Sequence, residues 1–580
     1  MKNKNRFMLT LFLSLFLIIG VSNACQPISQ IESIEEISTE TISETGVVDE
    51  PTEIPTTQSD SAGATRENAL EEPLLEETAA STITIDLTDT PNPINPLILG
   101  SNVPAWLAND RLDDPEFQAR TLGAGVSLIR LPGGSWSNYY DWLACERGGE
   151  GIDETAECYW TWAARPTDFI NFLRDTGLEG IYTINMNGTT KEAAALVAFF
   201  NGAVDDDNVI GVDVRGRDWG KVSDWAQLRS VNGNPEPIGI RYYEIGNEIF
   251  GGTQSSGADC TGYGWEEVWT CDGAEYVNGI GSGANQKEGF LEYREAMRAV
   301  DQSILVGAVG VAFQNEWSNW GNEVIVDAGN VMDFYIIHHY GFNDSPSTFA
   351  EALAQPHNTW PAITADVRAA FDQHAGGREV PIAITEYNLF SIQELDNGQL
   401  MTRLLNALYM ADTVGQMISS SVDIATQWDL ANGQPENGTD YGLVDFDTYE
   451  PYPQYFAYTL WSRFGSELLP AASSLPADTT LSVYAGRIDE NTISILAINK
   501  TADPLPTTIQ LENGPSITGA LADVLTGDSL EAQTITFNGQ SSPDPDFANA
   551  PSLPLEITDG PFSYTFASYS VTLLRLSLDS

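Results

Sequence analysis

The sequence predicts an α/β architecture, a (β/α)8 TIM barrel followed by an all-β C-terminal sandwich. Three observations predict it. Apolar, β-branched runs alternate eight times with helical segments between residues 82 and 465, as right-handed β-α units of a parallel sheet require. After 466 the texture changes to short alternating strands broken by Gly, Pro, Asn and Asp. Two glutamates close the fourth and seventh apolar runs, a costly place for a carboxylate unless the strand opens there into a polar site.

At the N-terminus, Lys2, Lys4 and Arg6 precede an apolar run from Met8 to Val21, too short for a comfortable bilayer span and typical of a secretory signal. The run ends in Ser22-Asn23-Ala24-Cys25, which resembles a bacterial lipoprotein cleavage site with Cys25 as the lipidated residue. Residues 1–25 are therefore read as a signal peptide. The mature protein is expected to be an extracellular, cell-surface lipoprotein that meets the membrane only through that lipid; ordinary cleavage beside an incidental cysteine is the alternative. Residues 26–80 are rich in Glu, Thr, Ser and Pro, with no Phe, Trp or Tyr and one basic residue, Arg66. Such a segment buries too little apolar surface to offset its ordering entropy, and it is read as a disordered acidic linker.

The expected barrel strands, within a domain at 82–465, are Leu97–Gly100, Val126–Leu131, Gly180–Asn185, Ile238–Gly246, Ile304–Val309, Phe334–His339, Ile382–Thr385 and Val422–Trp428. Helical spacing appears between them at Pro166–Asp175, Lys191–Phe200, Gln286–Val300, Pro361–His374 and Leu400–Met417. An open doubly wound sheet is the competing topology, but no Gly-x-Gly-x-x-Gly follows an early strand. Residues 466–580 form the expected sandwich, with strands at Thr480–Tyr484, Thr492–Asn499, Thr507–Leu511, Leu521–Leu525, Gln533–Phe537, Leu553–Ile557 and Phe562–Leu574. Ile83–Leu87, ahead of the barrel, is read as an added edge strand of that sandwich.

The 580 residues carry 82 acidic and 26 basic side chains, a net charge of −56. Such a surface repels phosphate backbones and excludes nucleic acid as a partner. Besides Cys25 there are four cysteines, an even number suited to an oxidising compartment. The local pairs Cys145–Cys158 and Cys260–Cys271 each close a short loop, and two other pairings are possible. A zinc site is poorly served, because neither pair has Cys-x-x-Cys spacing and the adjacent His338 and His339 read as strand residues. The run Asp205-Asp-Asp207 lacks the pattern of a calcium loop and reads as a solvated turn. No metal or organic cofactor is expected, and the oligomeric state is left open.

The two glutamates are Glu248, in Arg241-Tyr-Tyr-Glu-Ile-Gly-Asn-Glu248, and Glu386, in Pro381-Ile-Ala-Ile-Thr-Glu386-Tyr-Asn388. Strands four and seven face each other across a barrel mouth. Glycoside hydrolysis with retention needs one carboxylic acid to protonate the leaving oxygen and one carboxylate to attack the anomeric carbon, about 5–5.5 Å apart. Asn247, beside Glu248, is suited to a sugar hydroxyl. Glu244 reads as a structural acid facing the other way, paired with Arg241.

Several stretches resemble the family 51 α-L-arabinofuranosidases, which belong to the large clan of retaining (β/α)8 glycosidases. They are Arg130-Leu-Pro-Gly-Gly134 with Tyr140-Asp-Trp142, Phe199-Phe-Asn-Gly202, Trp225-Ala-Gln-Leu-Arg229, Asn232-Gly-Asn-Pro-Glu-Pro237 and Tyr243-Glu-Ile-Gly-Asn-Glu248. The resemblance runs from about 96 to 430 and implies Glu248 as acid/base, Glu386 as nucleophile and Asn247 as the 2-hydroxyl contact. It further implies Arg130 and Tyr340 as partners of the nucleophile, with Gln427 and Trp428 as a wall beneath the sugar. Of His338 and His339, the latter is carried as a substrate-site candidate. Two departures stand out: Ser135 occupies the position after Pro-Gly-Gly where the family has Asn, and Leu99-Gly-Ser-Asn-Val-Pro104 lacks the family's glutamate after strand one. The run from Ile94 to Asn102 instead resembles family 44 endoglucanases and xyloglucanases.

Aromatic residues on the same loops favour sugar stacking: Trp106, Trp136, Tyr139, Tyr140, Trp142, Trp160 and Trp162 after strands one and two, Trp265 and Trp269 after strand four. The expected function is thus retaining hydrolysis of extracellular polysaccharide or oligosaccharide, arabinofuranosidase-like. An endo-β-glucanase or xyloglucanase of the same clan is the first alternative, and a non-catalytic carbohydrate-binding lipoprotein the second.

Overall fold

A computed structural model describes residues 81–579, apart from 89, 149–162, 251–265, 267–268, 271, 513 and 558–560. The expected signal peptide and linker, Cys25, Cys158, Cys260, Cys271, Trp160, Trp162 and Trp265 all lie outside the described residues.

Eight parallel strands close into a barrel: β1 (Gly100–Asn102), β2 (Leu128–Leu131), β3 (Glu179–Ile184), β4 (Tyr242–Ile245), β5 (Leu305–Val309), β6 (Phe334–His338), β7 (Ile382–Glu386) and β8 (Ile424–Gln427). β8 pairs with both β7 and β1, which removes every sheet edge. The strands are short and almost wholly buried, hence their near-continuous Val, Ile and Leu composition. Helices such as Thr190–Asn201, Phe290–Val300, Phe349–His374 and Leu404–Ser419 form the outer layer. Thr189 and Thr348 cap two of them by accepting from the backbone N–H of Glu192 and Glu351.

The first strand differs from expectation. Pro96–Ile98 is a 3₁₀ turn, because the Asn95 side chain accepts from the Leu97 N–H and Pro96 sits at its first position. The strand follows at Gly100–Asn102, whose composition has no β signal; its neighbours β2 and β8 impose the conformation. The helix expected at Pro361–His374 begins twelve residues earlier, at Phe349, and contains both Pro356 and Pro361.

The C-terminal region forms two sheets. In the smaller, Ser81–Asp86 lies between Ala471–Ser473 and Leu505–Glu512, so the expected edge strand is an interior one. In the larger sheet, Leu481–Asp489, Thr492–Asn499, Ser570–Leu578 and Ile517–Thr526 pair antiparallel. The run expected as one strand at Phe562–Leu574 divides into Phe562–Phe566 and Ser570–Leu578, one in each sheet.

One face of the larger sheet packs against the barrel: Tyr484, Leu496, Ile498, Leu525, Phe537 and Leu573 belong to the barrel's own core. Two buried carboxylates cross this junction. Asp412, on helix Leu404–Ser419, lies 2.7 Å from Lys500 Nζ, 3.2 Å from His357, and accepts from the Tyr484 hydroxyl at 2.6 Å. Asp523, in the sheet, faces Arg463 from the barrel side at 3.4 Å and Arg575 at 3.0 Å. Burial opposes the Asp412 charge, but Lys500 and His357 outweigh it and hold the carboxyl down at about 2.

Because that folded-state value lies below the ordinary carboxylate range, Asp412 contributes stability that is full above about pH 4 and is lost as pH falls through about 2. Lys500→Met should cost about 3–5 kcal/mol at neutral pH by denaturant titration, since it strands a buried charge. The gap from wild type should close in acid.

Candidate active site

β4 ends at Ile245, and the chain then turns through Gly246 at φ 92°, a conformation open to glycine. A Cβ there would stand 2.7 Å from the Ile249 side chain. The turn breaks strand alternation and delivers Asn247 and Glu248 to the barrel mouth, with Glu248 itself at φ 44°. A non-glycine residue in that region costs roughly 1–3 kcal/mol and persists where its surroundings over-determine it. β7 carries Glu386 as its last residue, buried to 5% exposure.

Arg130, the third residue of β2, is fully buried at the centre of the mouth. Its Nε donates to Glu244 Oε2 at 2.6 Å, Nη1 to Glu386 Oε1 and Asn102 Oδ1 at 2.9 Å each, and Nη2 to Asn247 Oδ1 at 2.8 Å. Tyr340 donates to the other carboxyl oxygen, Glu386 Oε2, at 2.7 Å. Burial pushes the Glu386 carboxyl above its ordinary value, with Glu248 adding to the rise and His338, Arg130 and Tyr340 opposing it. His338 joins the two glutamates. Its Nδ1 lies 2.9 Å from Glu248 Oε1 and 3.6 Å from Glu386 Oε2, and its Nε2 lies 3.0 Å from Thr385 Oγ1. Burial takes His338 down to about 4, so near pH 7 it is a neutral ring, hydrogen-bonded to Glu248 and Thr385 and lying beside Glu386.

One donor atom from each of Glu248, His338 and Glu386 lies within 4.8 Å of the other two. That is also ligand spacing for a metal ion. The Arg130 guanidinium on Glu386 competes with any cation there, while Tyr340 engages the other Glu386 oxygen and Thr385 the other His338 nitrogen. The donor set suits proton movement between two carboxyl groups better than a divalent ion.

No family model matches the chain. Alpha-L-arabinofuranosidase C of Emericella nidulans is 29% identical over 133 residues, 22% of this chain and 23% of that protein. The intracellular exo-alpha-(1->5)-L-arabinofuranosidase of Bifidobacterium longum is 26% identical over 243 residues, 40% of this chain and 35% of that protein. The matched segments thus span about a quarter to a third of these relatives. Among solved structures, the family 51 alpha-L-arabinofuranosidase of Thermotoga petrophila superposes with a TM-score of 0.65 at 20% identity, covering 86% of this chain and all (100%) of that one. A family 44 xyloglucanase of Paenibacillus polymyxa gives 0.54 at 14% identity over the same shares. The fold is that of the family 51 arabinofuranosidases.

Within that fold the expected residues separate. Glu248, Glu386, Asn247, Arg130 and Tyr340 converge as described. His339 does not: it points away from the mouth, edge-on to Trp360 at 5.5 Å with Gln355 beside it, because successive strand residues face opposite ways. Glu244 is corrected in the other direction. It faces the barrel interior, fully buried, bound to Arg130 and to Thr183 Oγ1 at 2.9 Å, while Arg241 is exposed. Gln427 lies below the mouth, donating to the Tyr441 carbonyl and accepting from Ser101.

The aromatic residues divide likewise. Trp106 meets Trp136 at 5.4 Å and Trp428 at 5.9 Å, forming one wall. Tyr140 and Trp142 are buried, the latter among Phe199, Trp219 and Trp225, and serve the fold. Trp269 is half-buried, donating to the Met186 carbonyl. Cys145 is buried in the helix Trp142–Glu146. Asp207 pairs with Lys221 at 2.7 Å in an exposed turn.

Residues that the sequence did not single out complete the site. Asn102 donates to the Thr385 and Gln427 carbonyls and accepts from Arg130, cross-linking β1, β7 and β8. Asn138 and Glu266 flank Asn247. Burial, with Glu248 next, pushes Glu266 up to about 8 against hydrogen bonds from Ser135 and Asn138. Only Asn102 carried a signal, as the last residue of the run that resembles family 44.

Gly134, at φ 76°, lets the Trp428 ring lie where a Cβ would come within 2.3 Å. Gly134→Ala should lower stability in thermal melts by the backbone cost of that φ plus about 1–3 kcal/mol of overpacking against Trp428. Gly148→Ala, at φ 69° with nothing within 4 Å, should show the backbone cost without that clash.

Proposed function

We propose that the protein is a retaining glycoside hydrolase, arabinofuranosidase-like in substrate, with Glu386 as nucleophile and Glu248 as acid/base. The observation that carries this reading is the pair of carboxyl groups on opposite sides of the mouth with donor atoms within 4.8 Å. This fits the retaining separation of about 5–5.5 Å between carboxyl groups, which leaves no room for a water between the second carboxylate and the sugar. Arg130 and Tyr340 each bind one oxygen of Glu386, aiming the carboxylate and stabilising its charged form. In the first step Glu386 attacks the anomeric carbon while Glu248 protonates the departing oxygen. In the second, Glu248 takes a proton from water as that water displaces Glu386. The remaining Nδ2 hydrogen of Asn247 is available to the sugar hydroxyl beside the reacting carbon.

Endo-acting cleavage of a β-glucan or xyloglucan is the second reading, the family 44 neighbour being a xyloglucanase. It is favoured by the Trp106–Trp136–Trp428 wall and by the run from Ile94 to Asn102. We further propose export, with a lipid on Cys25 and disulfides Cys145–Cys158 and Cys260–Cys271. Mass spectrometry of the membrane-extracted protein should find diacylglycerol on Cys25 and the two linked peptides; a free Cys25 would remove the anchor.

Hydrolysis of 4-nitrophenyl α-L-arabinofuranoside, xyloglucan, xylan and β-glucan by wild type and Glu386→Ala tests the reading. Arabinose release, lost in the variant, with the first-formed product retaining its anomeric configuration by NMR, is expected; an inverted product or unaffected Glu386→Ala would overturn it. Glu248→Ala should reduce kcat by about 10²–10⁴-fold. Tyr340→Phe removes a donor that lowers the Glu386 pKa, so the acidic limb of kcat/KM should move to higher pH.

A further inference from the structure

We propose that Glu266 is a positioning residue of the reaction centre, fixing the Asn247 amide beside Glu248. The inference rests on the hydrolase reading above. Glu266 Oε1 accepts from Asn247 Nδ2 at 3.1 Å, and its Oε2 accepts from Asn138 Nδ2 at 2.7 Å. Asn138 in turn grips the backbone of Asn247, donating to its carbonyl at 2.7 Å and accepting from its N–H at 3.1 Å. The ring of bonds is closed and buried: Asn138 and Asn247 are at most 1% exposed and Glu266 is 8% exposed.

Each member uses its full chemistry. Arg130 can only donate, so it takes the Asn247 oxygen; Glu266 then takes one of the two hydrogens on Nδ2 and leaves one for the sugar. A side-chain amide has two ends of opposite character, whereas a carboxyl group, ionised or protonated, keeps an acceptor lone pair on each oxygen. Glutamine in its place must turn its NH₂ toward either Asn247 or Asn138, setting donor against donor. The requirement at 266 is therefore for a carboxyl group, beyond what shape would ask. Glu266 also ties the loop after β4 to the loop after β2, since Ser135 and Asn138 both bond to it. Ser135 thus has a partner of its own at the rim.

The test is a cycle of Glu266→Gln, Asn247→Ala and the double variant, assayed on 4-nitrophenyl α-L-arabinofuranoside and on xyloglucan. Glu266→Gln should lose about tenfold or more in kcat with KM little changed, and the double variant should be no slower than Asn247→Ala alone. Glu266→Asp, which keeps both acceptors, should regain part of kcat. Unchanged kcat in Glu266→Gln, losses that add in full to those of Asn247→Ala, or a kcat that merely follows the melting temperature across the variants would overturn the proposal. Wild type inactive on both substrates would instead remove the hydrolase reading itself.

Discussion

The buried guanidinium of Arg130 is the interaction on which the rest of the site depends. A charge taken wholly out of water is costly unless ion pairs and hydrogen bonds replace its hydration. Here the carboxyl groups of Glu244 and Glu386 and the amide oxygens of Asn102 and Asn247 do so. Burial lowers the affinity of Arg130 for its proton, but the two glutamates outweigh it, and the group stays charged. The planar fork can reach β1, β4 and β7 at once, which a lysine's single ammonium could not do with the same fixed angles. Four polar groups from three strands and their ends are thereby held in one register.

That register explains why the strands are so short. β1, β4 and β8 have three or four residues each, enough to close the barrel and no more. The functional groups then leave the strands at turns: Gly246 before Asn247, and the Pro132-Gly133-Gly134 turn under Trp428. A regular strand would put alternate residues on the wrong side. The turn after β4 is what lets Asn247 and Glu248, neighbours in sequence, both serve the same mouth.

Much of this is legible in the sequence, for identifiable reasons. Barrel strands buried on both faces leave continuous apolar runs, and a glutamate ending such a run stands out, as Glu248 and Glu386 do. What the sequence hides is everything set by long-range pairing. Gly100–Asn102 has no strand propensity of its own and exists because β2 and β8 lie beside it. His338 and His339 differ only in parity, and a slip of one residue in the register reverses their roles. Glu244 reads as the partner of its sequence neighbour Arg241, whereas its actual partner Arg130 lies 114 residues away. Asn138 ends a single 3₁₀ turn, Ser135–Asn138, and Glu266 sits in the connection after β4, where no periodicity marks either.

The crowding of acids follows from the same arrangement. Among the described residues, Glu244, Glu248, Glu266 and Glu386 gather around one guanidinium, and Asp429 lies fully buried next to Trp428. Repulsion from Glu248 adds to burial in raising both Glu266 and Glu386. Burial with Asp440 and Glu386 raises Asp429, and burial with Glu248 raises Glu266 to about 8. A general acid must reach its substrate still protonated, while a nucleophile must not. Arg130 and Tyr340 touch Glu386, whereas His338, neutral near pH 7, is the ring that touches Glu248. On the proposed assignment, the division of labour between two identical side chains comes from the Arg130 guanidinium placed on Glu386.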